Sequence, residues 1–465
     1  MVAIIKPYPE YRDVDMPWIQ RCPAHWSIQR MKYLVDERVQ KGFPDEPLLT
    51  ASQSHGVIPK SDYGTRTVEA QKDLHLLKLV EPGDYVISLR SFQGGIEYAH
   101  VRGIISPAYT VLKPAPMVRR GYYERFFKST PFVQSMTLFV TGIREGQNID
   151  YIRLSRAYLP VPPIEDQEAI DRYICHIDYR VNRLIKAKRR LIELLKEQKK
   201  AIINHGVTGG FADDVPLKPS GNDWLCDIPA HWELIPLKYL CRRIKNGATP
   251  PTVEQQFYLD GSVPWYGPSS LATKEQIGAP VRYLAKIAFE QGKARLITGP
   301  AILITVIGAT AGRSGLLLEE GSTNQQITAF ELMGGNIIPE FVLQQIRQAE
   351  YWLKFTASTA TIPILDAGVV NRLTIALPPI GEAESILRTL SKRTEPVTAT
   401  ISRLESEIEL IREYHTRLVA DVVTGQIDVR GIDIPEFEEA ENLMDAGEAD
   451  LGVSDEETDI EQEEE

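Results

Sequence analysis

The chain repeats itself at a fixed distance. Pro162 and Pro378, Glu168 and Glu384, Glu193 and Glu409, Glu197 and Glu413, and Gly209 and Gly425 are each 216 positions apart. A register kept without a gap over roughly 48 positions marks an internal duplication. Such a chain has to form related structures twice.

Each repeated stretch reads as one long helix. It opens on PPIEDQE or PPIGEAE and closes on VTG. In the first copy Ile170, Ile174, Ile177, Val181, Leu184, Lys188, Leu191, Leu195, Gln198 and Ile202 alternate steps of four and three. In the second, Val397, Ile401, Leu404, Ile408, Ile411, His415, Leu418 and Val422 do the same. This is the heptad seam of helices that pack on one another. The first copy spans about 40 residues, or roughly 60 Å. Two seams in one chain predict an antiparallel pair acting as a rigid strut. Pro396 predicts a kink or break, with the main seam of the second helix starting there.

The repeat reaches beyond the helices. RCPAHWSIQRMKYLVD is echoed by DIPAHWELIPLKYLCR, with His25 and His231, Trp26 and Trp232, Lys32 and Lys238, and Leu34 and Leu240 each 206 apart. The second copy therefore carries about ten extra residues early on. After this box each half turns β-rich and glycine-punctuated. Residues 81–96 (EPGDYVISLRSFQGGI) and 297–317 (ITGPAILITVIGATAGRSGLL) each predict a strand, a glycine loop carrying Arg90 or Arg313, and another strand. Residues 106–113 and 322–329 match in the same register, as do Phe139 with Phe355 and Asp150 with Asp366. The loops differ: residues 63–77 and 263–279 share little. The expected fold is α+β, with two pseudo-repeated mixed α/β domains separated by a pair of long antiparallel coiled-coil helices. The expected layout is an arm at 1–20, a first domain at 21–158, a first long helix at 159–210, a linker at 211–228, a second domain at 229–374, a second long helix at 375–425, and an acidic, disordered tail at 426–465.

The 465 residues are too many for one core. A content of 43% hydrophobic and 25% charged residues fits an ordinary globular protein. No apolar run approaches the roughly 20 residues that span a bilayer, and the start of the chain has no signal-peptide layout. Cys22, Cys175, Cys226 and Cys241 form no CxxC pair, which fits a reducing cytoplasm. The net charge of −11 includes 16 acidic residues and no Lys or Arg after residue 430, so the body carries +5. A basic body with a detached acidic tail suits a polyanion binder.

Catalytic constellations do not survive inspection. The Pro-Pro pairs in VPPI and LPPI lack the preceding Asn or Asp of an amino-methyltransferase loop. GATAGRSG lacks the Gly-Lys-Ser/Thr ending of a phosphate loop. Pro44-Asp45 and Glu197-Gln198-Lys199 are unconnected fragments of a nuclease motif. No histidine pair has metal-ligand spacing, and His25 and His231 read as structural residues at domain starts. Arg and Lys neutralise phosphates, while Arg, Asn and Gln read base edges. The candidates for DNA contact are Lys60, Arg66, Lys72, Arg90, Gln93, Arg102, Arg119 and Arg120 in the first domain. In the second they are Lys274, Lys293, Arg295, Arg313, Asn324, Gln325 and Gln326. Arg90, Gln93 and Arg313 lead, because they sit on glycine loops between strands. The first helix has a basic face, a solvated surface or one laid along DNA or an acidic partner.

With the PAHW…LKYL boxes, the GDYVISLR and GATAGRSG loops, the PPIEDQE and PPIGEAE helix starts and the closing VTG pair, the chain resembles the specificity subunit of type I restriction-modification systems over nearly all of residues 8–430. The resemblance implies a non-catalytic subunit with two target-recognition domains, each reading half of a bipartite double-stranded DNA site. It implies two modification subunits that bind S-adenosylmethionine and methylate adenine, a restriction subunit that uses ATP and Mg, no membrane, and a cytoplasmic location. The acidic tail departs from the family's usual short end. The alternatives from other classes are a DNA-modifying or cutting enzyme with its own site, and a coiled-coil scaffold that binds duplexes without reading sequence.

Overall fold

The computed structural model describes residues 6–53, 55–63, 73–141, 148–212, 214–222, 224, 225, 227–271, 277–335, 337–357 and 363–434. The candidates Arg66, Lys72 and Lys274 and the tail from residue 435 lie outside the described residues. The chain divides into two compact units. One joins Met1–Arg189 to Glu405–Glu465; the other is Arg190–Leu404. Each unit thus holds one α/β domain, part of the long helix that follows it, and part of the other long helix.

In the first unit, four strands lie in the order Val35–Glu37, Thr110–Pro114, Tyr85–Ile87, Glu97–Tyr98. In the second, the order is Cys241–Asn246, Ile327–Leu332, Ala301–Thr305, Ser314–Leu317. The members correspond one to one in the sequence register, so the duplication is one of topology. The runs AILIT and ITAFEL are buried throughout, as expected of strands covered on both faces. Outside each sheet, the strand after the PAHW box pairs with the strand that enters the long helix. Ser27–Arg30 lies antiparallel to Tyr158–Val161, and Glu233–Pro236 to Thr374–Leu377. The stretches expected as an arm and a linker are likewise equivalent. Tyr11–Asp13 pairs with Arg21–Pro23 as Leu217–Lys218 pairs with Ile228–Pro229.

The two long helices run Ile164–Gly209 and Ile380–Val423. The Pro-Pro pair before each suits a helix start, where a missing N–H costs nothing. Acidic residues in the first turns, Glu165 and Asp166 or Glu382, face the positive end of the helix dipole. Two of these carboxylates also hold the domains. Asp166 accepts from Trp26 Nε1 at 2.9 Å and meets His25 Nε2 at 2.7 Å. Glu382 accepts from Trp232 Nε1 at 3.0 Å and meets His231 Nε2 at 2.7 Å. Both indoles are buried. The histidines of the box are therefore structural, paired with a helix-start carboxylate. The other helix closes each cradle with a left-handed glycine: Gly425 (φ +73°) against Pro23 and Trp26, and Gly210 (φ +74°) beside Trp232. A Cβ on Gly425 would lie 2.5 Å from the Pro23 ring, so only glycine fits there.

Within each unit the two helices pack antiparallel. In the first, Asp178 meets His415 at 2.6 Å and Lys188 meets Glu407 at 2.6 Å. In the second, Val207 packs with Ala383, Ile386 and Leu390. The expected seam holds along the second helix, where all eight named positions are buried or half-buried. It fails midway along the first. Leu184 and Leu191 are 46% and 44% exposed, while their neighbours Ile185 and Ile192 are 9% and 4% exposed. The buried line runs Ile170, Ile174, Val181, Ile185, Lys188, Ile192, Leu195. One extra step of four, from the half-buried Ile177 through Val181 to Ile185, shifts the stripe by one position, and the alternation of four and three then resumes. The break expected at Pro396 is absent as well: the second helix is continuous through it. The carbonyls around the proline accept from threonine hydroxyls, Thr394 to Leu390 O and Thr400 to Pro396 O, at 2.8 Å each.

This seam makes a direct prediction. Ile192→Ala should destabilise the protein by about 2–4 kcal/mol, and Leu191→Ala by less than about 1 kcal/mol. Denaturant unfolding of both variants checks the order; equal losses would restore the heptad assignment.

Candidate nucleic-acid interface

The second domain gathers its candidates at one end of its sheet. The strands Ala301–Thr305 and Ser314–Leu317 are joined there by the glycine loop. Gly308 and Gly312 have φ of +103° and +91°, which lets the loop fold back on itself. Arg313 closes this loop, its carbonyl accepting from Thr305 N. The turn before Ile327–Leu332 comes alongside, with Val306 N bonded to Gln326 O at 2.7 Å. Asn324 Nδ2 donates to Gln326 Oε1 at 2.8 Å and Asn324 Oδ1 accepts from Gln326 N at 3.1 Å, so the turn is stiff. The segment after Asn246 completes the rim. Ala248 N bonds Thr323 O, Thr249 Oγ1 donates to Gln325, and Arg295 Nη1 donates to Asn246 O. Arg295, Arg313, Asn324, Gln325 and Gln326 are thus brought to one rim, with Lys293 exposed two residues before Arg295. Asn246 and Thr249 belong to it too. Sequence reasoning passed over them because their place depends on strand pairing.

The first domain presents the corresponding end differently. Arg90 and Gln93 are exposed on the turn after Tyr85–Ile87, with Gln93 N bonded to Arg90 O at 2.8 Å. Burial raises the Tyr109 phenol, and the charge of Arg90 opposes that shift, so Arg90 lies near the turn before Thr110–Pro114. These are the same two turns that meet in the second domain. Arg313 and Arg90 are not equivalents, however. Arg313 falls in register with Glu97, a carboxylate 2% exposed. Burial pushes Glu97 up to about 7, against the pull of Lys128. Lys128 Nζ also donates to Gly94 O at 2.9 Å and Gln53 O at 3.1 Å. One ammonium thereby ties the Arg90–Gln93 turn to its neighbour.

The remaining candidates sit elsewhere. Lys60 opens a short helical turn after the hairpin formed by Leu49–Ser52 and Gly56–Pro59. Arg102 is engaged by Glu46 and Glu81, beside the turn that precedes Tyr85–Ile87. Arg119 and Arg120 start the helix Arg120–Lys128. Arg119 N donates to Gln167, and Arg120 pairs with Glu124 and covers the Tyr98 ring at 4.4 Å.

Comparison with known proteins agrees with this architecture. Residues 229–410 match the family model described as type I restriction modification DNA specificity domain. The putative type I restriction enzyme MjaX specificity subunit of Methanocaldococcus jannaschii is 22% identical over 460 residues, covering 92% of this chain and all of that protein. Both comparisons make the chain similar to type I restriction-modification specificity subunits. A solved chain from work on complex assembly and conformational transition of a type I R-M system shares the fold. It has a TM-score of 0.59 at 15% identity, with 87% of this chain and 99% of that one covered. The HsdS subunit of Thermoanaerobacter tengcongensis aligns with a TM-score of 0.46 at 13% identity, over 87% and 98% of the two chains. Specificity subunits are the non-catalytic members of their systems. Among the described residues of this chain, no helix is long and apolar enough to cross a membrane.

The raised Glu97 carboxyl gives this chain a pH signature. Its folded value, about 7, lies above the unfolded one near 4.5. Its contribution to stability is therefore full below pH 4.5 and lost as pH rises through 7. Replacing Glu97 by Gln should remove that part of the pH dependence; an unchanged stability–pH profile would show that the carboxyl is not perturbed.

Proposed function

We propose that the chain is the sequence-reading subunit of a type I restriction-modification complex and recognises a bipartite double-stranded DNA site. Two target-recognition domains, 21–158 and 229–374, each read one half-site. The observation that carries this reading is the repeated four-strand sheet whose turns at one end differ between the domains. The second domain offers Arg313, Asn324, Gln325 and Gln326 there. The first offers Arg90 and Gln93. Arginine matches guanine edges and Asn or Gln matches adenine, so unlike side chains on like frames suit unlike half-sites. The remaining candidates, Lys60, Arg102, Arg119, Arg120, Lys293 and Arg295, carry positive charge suited to phosphates.

Two half-sites must be met in phase along the duplex, where one turn rises about 34 Å. Paired helices give a stiffer spacer than a flexible linker. In the same reading the helices dock two modification subunits, which bind S-adenosylmethionine and methylate adenine, and a restriction subunit using ATP and Mg joins them.

Mapping methylated adenines in the host genome with and without this gene tests the proposal. The expected result is a two-part motif with a constant gap that loses its methylation when the gene is deleted. Loss of no motif would refute it. A second outcome follows from the spacer. Inserting four residues into both long helices at one level adds about 6 Å and should lengthen the gap by about 2 base pairs. A gap of unchanged length would remove the helices from the measuring role.

A further inference from the structure

The PAHW…LKYL box is repeated for reasons that can be separated residue by residue. Trp26 and Trp232 are buried and bonded to a carboxylate, and His25 and His231 share those carboxylates. Leu34 and Leu240 lie in the core. Packing accounts for these identities. It does not account for Lys32-Tyr33 and Lys238-Tyr239. Both tyrosines are 62% exposed and both lysines are exposed. Each lysine ammonium lies over its neighbour's ring, at 4.9 Å in the first unit and 4.6 Å in the second.

A third repeated residue joins each pair. The turn carrying Lys32 and Tyr33 rests on the segment before Tyr158–Val161 through Met31 N to Ala157 O and Lys32 N to Ser155 O, at 2.9 Å each. In the second unit Leu237 N bonds the register equivalent, Leu373 O, at 2.8 Å. On these segments stand Arg156 and Arg372, 216 positions apart and both exposed. Among the described residues neither arginine and neither lysine forms an ion pair. Each unit therefore presents the same lysine, tyrosine and arginine to solvent, although the rims differ.

Surface residues held alike in two otherwise divergent domains suit something that is alike at both half-sites. Bases are not alike; the phosphate backbone is. Each triad brings a phenol and two cations that form no ion pair among the described residues, the side-chain types that contact phosphate. We propose that Lys32, Tyr33 and Arg156 in one unit, and Lys238, Tyr239 and Arg372 in the other, are matched phosphate-backbone anchors that seat each domain on DNA without reading sequence. This rests on the DNA-reading function above and adds the residues that supply its sequence-independent part.

The test uses the full chain co-expressed with its modification subunit. Lys32→Gln, Arg156→Gln, Lys238→Gln and Arg372→Gln are combined. Binding is measured by fluorescence anisotropy across a salt series, on a duplex carrying the mapped site and on one with the site shuffled. All four positions are exposed, so folding should be unaffected. The expected result is a loss of at least about tenfold in affinity on both duplexes. The ratio between the duplexes stays unchanged, and the salt slope becomes shallower by about 0.9 for each contact removed. An unchanged salt slope overturns the inference. So does loss of co-purification with the modification subunit at an intact slope, which would make the patch a protein docking surface. If the unmodified complex bound both duplexes equally, the DNA-reading function itself would fail. Site preference with an unaltered slope in the variant would sink the anchors alone.

Discussion

One carboxylate at the start of each long helix carries the architecture. Asp166 and Glu382 each hold an indole N–H and an imidazole at once. An acid in a first helical turn is already favoured by the helix dipole. Here the same group receives bonds from the box that begins the domain, with the indole 140 residues earlier in the first unit and 150 in the second. A buried tryptophan brings a large apolar area and one N–H that has to be satisfied. Its bond to the helix start therefore fixes where the domain sits on its helix. The left-handed glycine ending the other helix lies against the same indole. In each unit, then, a domain is bound to the beginning of its own helix and the end of the other.

That arrangement explains why residues 6–23 and 426–434 are structured. Lys6 pairs with Asp428, Tyr11 and Arg21 meet Gln426, and Arg430 lies over the Tyr8 ring in the first unit. In the second, Leu217–Lys218 fills the role of Tyr11–Asp13, with Lys218 Nζ on the carbonyls of Ala230 and Trp232. A duplicated chain whose helices exchange partners makes its termini equivalent to an internal connection.

The domains spend their similarity and their difference in separate places. Strand order, box, helix start and the exposed Lys-Tyr-Arg set are shared. The turns at one end of the sheet are not. Where the second domain places Arg313, the first buries Glu97 under Lys128. Such a swap changes both the charge of the rim and the way its turn is braced, while the sheet below stays the same. Such a division suits the two-part reading proposed above.

Much of this was legible in residue order alone. Repetition at 206 and 216 positions determined that there are two related domains and two long helices, because identical spacing of box, strand and helix start leaves one topology to be made twice. Apolar periodicity identified the helices and their mutual packing, and the paired histidines before tryptophan read correctly as structural. The tertiary structure alone decided which residues of the first helix are covered. Leucine and isoleucine at neighbouring positions, 184 and 185 or 191 and 192, are equally apolar, and only the phase of the packed helix after its one extra step of four chooses between them. It also decided which cations stand together. Arg102 and Arg120 look like Arg90 in sequence, yet two are engaged by carboxylates and one is on the turn. Charge is a property of a residue, whereas a binding rim is a property of strand pairing, and pairing is set by contacts between residues far apart in the chain.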